Sequence, residues 1–210
     1  MVKRGVDKKH THITPFDDVA SPSMPKTGNG LTRWIGRRIM QGMGWTFRGK
    51  LPDEPRVIFV GAPHTSSRDS ILAVSAMMSV GLKCSWMMKK EAFFWPFGGL
   101  WKILGGIPVD RSRKGGLTGQ MVAWFTADDK AWLGITPAGT RRKVESFKKG
   151  YLRIAYAANV PVFLVGINSP TKEVVLDRIW PLTGDADTDN ADIKGYFDRN
   201  YTGIRPNHRA

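Results

Sequence analysis

The chain has 210 residues, 41% of them apolar and 24% charged, with a net charge of +14. This is enough for one domain with a full core, and too apolar for a disordered chain. A basic surplus of this size points to an anionic partner, such as nucleic acid, an anionic membrane surface or a phosphorylated substrate.

Residues 1–30 are polar, basic and rich in Pro, Gly, Ser and Thr, ending in "SPSMPKTGNG". They read as a flexible tail ahead of a domain spanning 31–210. His10 and His12 are too isolated within it to make a metal site. The N-terminal segment has charges but no apolar stretch of the signal-peptide kind, and no run reaches the roughly 18–20 apolar residues that cross a bilayer. The expected location is cytoplasmic, peripheral on the inner face of a membrane. Residues 31–47, "LTRWIGRRIMQGMGWTF", place Leu31, Trp34, Ile35, Ile39 and Met43 on one helical face, with Arg33, Arg37 and Arg38 on the remainder. This composition suits an interfacial membrane helix, and equally a helix packed on its own domain with solvated arginines. Gly36, Gly42 and Gly44 weaken the helix.

Strands and helices then alternate. Apolar runs predict strands at 57–62, 84–88, 106–109, 132–136, 161–167 and 173–179. Helices are predicted near 69–80, 92–104, 117–127, 147–158 and 190–201. Continuous apolar strands suit a sheet covered on both faces, so the fold class is α/β: a single layered domain with a largely parallel or mixed central sheet flanked by helices. The lone Cys84 cannot form an internal disulfide and reads as a small buried hydrophobe. Trp86, Trp95, Trp101, Trp124 and Trp132 read as core or as the lining of an apolar tunnel. "DADTDNADIKGY" resembles a calcium loop until Asn190 stands where Gly is needed and Tyr196 where Glu is needed. It reads instead as the acidic N-terminus of the last helix.

The chemistry gathers at strand ends. "VIFVGAPHTSSRDS" places His64 just past an apolar strand and Asp69 five residues on, in the first turn of a helix that Thr65, Ser66 or Ser67 can cap. A carboxylate accepting one ring N–H fixes the tautomer and leaves the other nitrogen as a base. A histidine capping a helix accounts for the same spacing. No Gly-x-Ser-x-Gly elbow is present and Cys84 sits within a strand, so a hydroxyl to be activated belongs to a substrate. "GGIPVDR" ends a strand in Asp110 and Arg111, and "ITPAGTRR" ends another in Gly139, Thr140, Arg141 and Arg142. Two arginines at strand ends can grip a phosphate through forked hydrogen bonds, or form surface ion pairs.

Taken in order, "PHTSSRD", "KKEAFFWPFGGLWKILGGIPVDR", "TPAGTRR", "FKKG" and "NVPVFLVGI" resemble the four blocks of the glycerolipid acyltransferase family, which includes the 1-acylglycerol-3-phosphate acyltransferases. The resemblance covers about residues 57–167. It implies transfer of a fatty acyl group from acyl-CoA or acyl carrier protein to the free hydroxyl of a lysophospholipid. It implies His64 as general base, Asp69 as the residue that orients it, and Arg111, Gly139, Thr140 and Arg141 at the acceptor phosphate. Pro161 matches the fourth block. Neither a metal nor a resident cofactor is implied, and the expected partners are the two substrates and an anionic membrane surface rather than nucleic acid.

One departure stands out. The third block usually reads Pro-Glu-Gly-Thr-Arg, and here Ala138 replaces the Glu. This leaves open another lipid acceptor, such as a lyso-aminolipid or glycolipid, or a weak or inactive membrane-binding relative.

Overall fold

The computed structural model describes residues 13–63, 66–110, 112, 116–140 and 144–204. Helix α1 (Gly30–Met43) begins at Asn29, whose side chain accepts a hydrogen bond from the Thr32 N–H. It ends at Gly44, which takes the left-handed conformation with φ 73°. That stop releases the chain into β1 (Thr46–Gly49), a strand where the sequence pattern had extended the helix to residue 47. Next come β2 (Arg56–Ala62), α2 (Ser67–Val80), β3 (Trp86–Lys89), α3 (Phe97–Ile103), β4 (Gly106–Val109), α4 (Gly116–Ala127) and β5 (Ala131–Ile135). The chain closes with α5 (Gly150–Ala158), β6 (Val162–Asn168), β7 (Glu173–Ile179) and α6 (Ala186–Asn200). Every strand expected from an apolar run is present, shifted by two residues at most. The helix expected over 92–104 is split: a 3₁₀ turn at Lys90–Ala92 precedes Pro96, and α3 starts only after it. The last helix starts at Asp185, whose carboxylate accepts from the Asp187 and Thr188 N–H groups, as its acidic start implied.

The main sheet has the order β1-β7-β6-β2-β5. β2 runs parallel to both β5 and β6, whereas β6 and β7 are antiparallel, so the sheet is mixed with a parallel centre. β3 and β4 form a parallel ribbon that joins β5 through one bridge, Ser85 to Leu133. Alternation along β2 divides the core. Ile58 and Val60 face Met121, Phe125, Leu152 and Ile193 of α4, α5 and α6, while Val57 and Phe59 face Met40 and Leu72 of α1 and α2. α3 lies on the α1–α2 side. A Cβ on Gly106 would meet the Trp101 carbonyl oxygen at 2.9 Å, whereas the next residue, Ile107, packs into the α4–α6 core.

Two expectations are corrected. From residue 13 onward the supposed tail is part of the domain: Val19 and Met24 are buried, Thr14 pairs with Phe47 and Lys26 with Leu82, and Ser21 Oγ donates to the Pro52 carbonyl. Residues 1–12 lie outside the described set. The buried stripe of α1 is also not the one centred on Leu31 and Trp34, both of which are exposed. It runs through Gly36 and Met40, with Ile35 and Met43 at its margins. α1 crosses α2 at Gly36, where a Cβ would fall 2.5 Å from the Ser79 nitrogen and 2.8 Å from the Ser75 carbonyl oxygen.

This crossing makes the α1 glycines unequal. Gly36→Ala forces the helices apart and is expected to destabilise the fold by about 1–3 kcal/mol in urea unfolding. Gly42→Ala, with nothing within 4 Å of the new methyl, is expected to be neutral or to stabilise by up to about 1 kcal/mol through helix propensity.

Candidate active site

β2, β3, β4 and β5 all run the same way, so their carboxyl ends open along one edge of the structure. Ligands collect at such edges in α/β folds. The exit of β2 carries Pro63 and then His64; His64 and Thr65 lie outside the described residues, as do Arg111 and Arg141. What the structure does show is the frame from which each of these three site residues is held.

At the β2 exit, α2 starts with a capping box. The Ser66 N–H donates to Asp69 Oδ2 at 2.7 Å, and Ser66 Oγ accepts from the Arg68 N–H at 3.2 Å. Asp69 is 1% exposed. The helix-cap reading of this stretch therefore holds for Ser66 and Asp69, and it uses one oxygen of the carboxylate.

At the β4 exit, Gln120 of α4 clamps the backbone of Asp110 from both sides. Its Oε1 accepts from the Asp110 N–H at 2.9 Å and its Nε2 donates to the Asp110 carbonyl at 2.6 Å. The Asp110 carboxylate accepts from Lys90 Nζ at 2.5 Å and from the Ser112 N–H and hydroxyl. These bonds, Lys90 first, hold Asp110 well below the usual carboxylate range, and the same bond from Lys90 raises the lysine. Sequence reasoning had no signal for Gln120, which stands ten positions from Asp110 on another element.

At the β5 exit, the turn 136–139 closes through the Gly139 N–H to the Thr136 carbonyl at 3.1 Å, with Gly139 at φ 62°. Thr140 follows, exposed. Lys148, a residue the sequence reading did not single out beyond its "FKKG" block, returns to this turn. Its N–H donates to the Pro137 carbonyl at 3.0 Å, and its Nζ would lie 3.0 Å from a Cβ on Gly139. Lys148 is exposed and forms no ion pair among the described residues. Phe147, beside it, is buried and its carbonyl accepts from Asn190 Nδ2 of α6 at 2.9 Å. Ala138, in place of the usual Glu, is 4% exposed and packs into the α4–α6 core. Its side chain points inward, away from the open edge.

Cys84 plays no part here. It precedes β3 rather than lying within it and is half-buried; its sulfur packs against Gly134, and desolvation pushes the thiol up to about 12. The aromatic candidates divide: Trp132 is buried core, while Trp95 is 91% exposed. A cavity of about 150 Å³ between Lys83, Gly105, Asp128, Lys130 and Trp132 opens at the opposite ends of β4 and β5, away from this edge.

The structure is an α/β layered fold whose parallel strand exits open along one edge, with Lys90 beside the β4 exit and Lys148 at the β5 turn. The family follows from comparison. The Acyltransferase family model matches residues 45–168, and the chain belongs to that family. The crystal structure of the 1-acyl-sn-glycerophosphate (LPA) acyltransferase PlsC from Thermotoga maritima superposes with a TM-score of 0.55 at 16% identity, over 81% of this chain and 78% of that one. The two share the fold. No curated protein matches the chain.

Two outcomes test this geometry. Ala138→Glu places a carboxylate in an apolar core and is expected to lower stability by on the order of 2–4 kcal/mol, read as the urea midpoint. Cys84 is expected to resist thiol reagents at pH 8 in the folded protein and to react at once in denaturant, because only the thiolate is the nucleophile.

Proposed function

We propose that this acyltransferase moves a fatty acyl group from acyl-CoA or acyl carrier protein to the free hydroxyl of a lysophospholipid such as 1-acylglycerol-3-phosphate. The observation that supports the reading is the single edge along which β2, β4 and β5 end, because His64, Arg111 and Arg141 follow those strands shortly after in the sequence. His64 takes the proton of the acceptor hydroxyl as its oxygen attacks the thioester carbonyl. The C–O bond forms, the C–S bond breaks, and the proton passes to the departing thiolate. Asp69 holds the imidazole in the tautomer that leaves a nitrogen free for this step.

Arg111 and Arg141 bind the acceptor phosphate, and Lys148, lying over Gly139 with no ion pair among the described residues, adds a third cation to that end of the site. The inward position of Ala138 supports this assignment: it packs into the core while the turn still closes through the Gly139 N–H to the Thr136 carbonyl. The basic face of α1 supports a membrane-peripheral protein on the cytoplasmic side.

Release of free thiol from acyl-CoA, measured with and without lysophosphatidate, tests the reading. Acceptor-dependent release is expected from the unaltered chain. His64→Ala is expected to lose about 10²- to 10⁴-fold or more of it while unfolding at the same urea concentration. Lys148→Ala is expected to raise KM for the phosphorylated acceptor by about tenfold, with basal acyl-CoA hydrolysis little changed. Near-normal transfer by His64→Ala would overturn the mechanism.

A further inference from the structure

Nine of the eleven exposed large apolar side chains among the described residues belong to one layer of the fold. Leu31, Trp34 and Ile39 stand on α1, and Ile71 and Val74 on α2. The other four, Phe94, Trp95, Ile103 and Leu104, bracket α3. No exposed side chain of this kind lies on α4, α5 or α6. Since α3 packs on the same side of the sheet as α1 and α2, the nine share one face of the protein, on which exposed apolar groups are concentrated beyond what scattered surface residues give.

The same layer is strongly basic. Residues 30–44 and 66–104 carry eight Lys and Arg residues against two carboxylates, Asp69 and Glu91, of which Asp69 is buried; two of the eight, Arg37 and Lys90, are paired with Asp17 and Asp110 from outside these segments. On the other side, α6 alone has four Asp against Lys194 and Arg199. The contrast names the occupant: an apolar face rimmed by cations complements an anionic bilayer, whose surface attracts Lys and Arg while its interface takes up indole rings. Trp95 stands beside Lys102 at a shallow groove of about 260 Å³ formed with Phe93, Pro96, Gly98 and Gly99. A lysine stem there can lie along the apolar surface while its ammonium reaches the headgroups.

We propose that α1, α2 and the segment around α3 form a single lipid-docking surface, with Trp95 and Ile103 as a second anchor apart from α1. This rests on the reading of α1 as a membrane-facing helix. Phe94 and Trp95 follow the exit of β3, on the edge that carries the candidate active site, and Ile103 and Leu104 precede the entry of β4 at the opposite edge. The docked face therefore runs along the strands, and the active-site edge stands at its rim, at the depth of lipid headgroups.

The test is co-sedimentation of the full chain with phosphatidylcholine vesicles, with and without phosphatidylglycerol, for Trp95→Ser, Ile103→Ser and both together. Ile179→Ser, at a position 40% exposed on β7, is the matched control. The double variant is expected to bind anionic vesicles about tenfold or more weakly, with Ile179→Ser and all thermal midpoints unchanged. Anionic vesicles are expected to bind more tightly than neutral ones, and less so as salt rises. Transfer to a short-chain lysophosphatidate below its micellar concentration is expected to be the same for Trp95→Ser as for the unaltered chain. Three results overturn the proposal: α3 variants that bind like the control, a self-associated chain that Trp95→Ser makes monomeric, or loss of short-chain transfer, which would put Trp95 in the substrate site. An unaltered chain that binds vesicles through these residues yet transfers nothing would refute the enzymatic reading and leave the surface standing.

Discussion

The arrangement depends on a two-bond exchange at Ser85. Its N–H donates to the Trp132 carbonyl and its carbonyl accepts from the Gly134 N–H, both at 2.8 Å. This is the only ladder contact among the described residues through which the β3–β4 ribbon meets the main sheet, and it is parallel. Parallel attachment makes β3 and β4 leave toward the same edge as β2 and β5, so Asp110 comes out on that edge rather than at the far side. Gly134 permits the approach, since a Cβ there would lie 3.1 Å from Cys84 Sγ. A larger residue at 134 would push the ribbon away and uncouple one cation-bearing exit from the other two.

The parts of this fold that sequence conveys well are those whose pattern is local. β2, β5, β6 and β7 are continuous apolar runs because helices or neighbouring strands cover both faces, and their existence follows without knowledge of their partners. The parts it conveys badly depend on distant partners. Val19 and Met24 look like stray apolar residues in a polar stretch, and only the place that Pro52, Leu82 and Phe47 offer them reveals a docked segment. On α1 the periodicity is real, but an apolar stripe does not say whether it faces core or solvent. Gly36, which weakened the helix on propensity, is the residue that lets it pack. The site shows the same division. The His64–Asp69 spacing and the strand-end arginines are contiguous motifs, whereas Gln120 and Lys148 reach the site from other segments and have no motif of their own.

The C-terminal helix gives the β5 turn its rigidity from a distance. Asp177 of β7 accepts from Tyr196 Oη at 2.6 Å and Tyr201 Oη at 2.5 Å. Burial alone would raise this carboxyl, and the two phenols with Arg178 reverse the effect and hold it below the usual range. The Tyr201 ring fills the space above Gly166, where a Cβ would sit 2.2 Å from the ring. At the other end of α6, buried Asp189 accepts from the Thr183 N–H and from Tyr156, whose hydroxyl is pushed up to about 12, chiefly by burial and then by this bond. With both ends fixed, Asn190 can present one amide group to Tyr151 Oη and the other to the Phe147 carbonyl. Lys148 is therefore held at the Gly139 turn by an element that touches no substrate.

Acyl transfer to a lipid sets two demands that one surface cannot meet by composition alone. The site must offer cations to a phosphate and a base to a hydroxyl, while the protein must rest against an apolar phase. This chain separates the demands by position. Lys90 and Asp110 lie by the exits of β3 and β4, and Lys148 lies at the turn after β5. Exposed apolar side chains lie instead on α1, on α2 and around α3. In the proposed orientation the acceptor need not leave the bilayer: its chain stays among its neighbours while its phosphate, already at headgroup depth, meets the basic rim. The cost of extracting a whole lipid into water is thereby avoided, which at roughly 0.8 kcal/mol per methylene would exceed anything three cations at one phosphate could return.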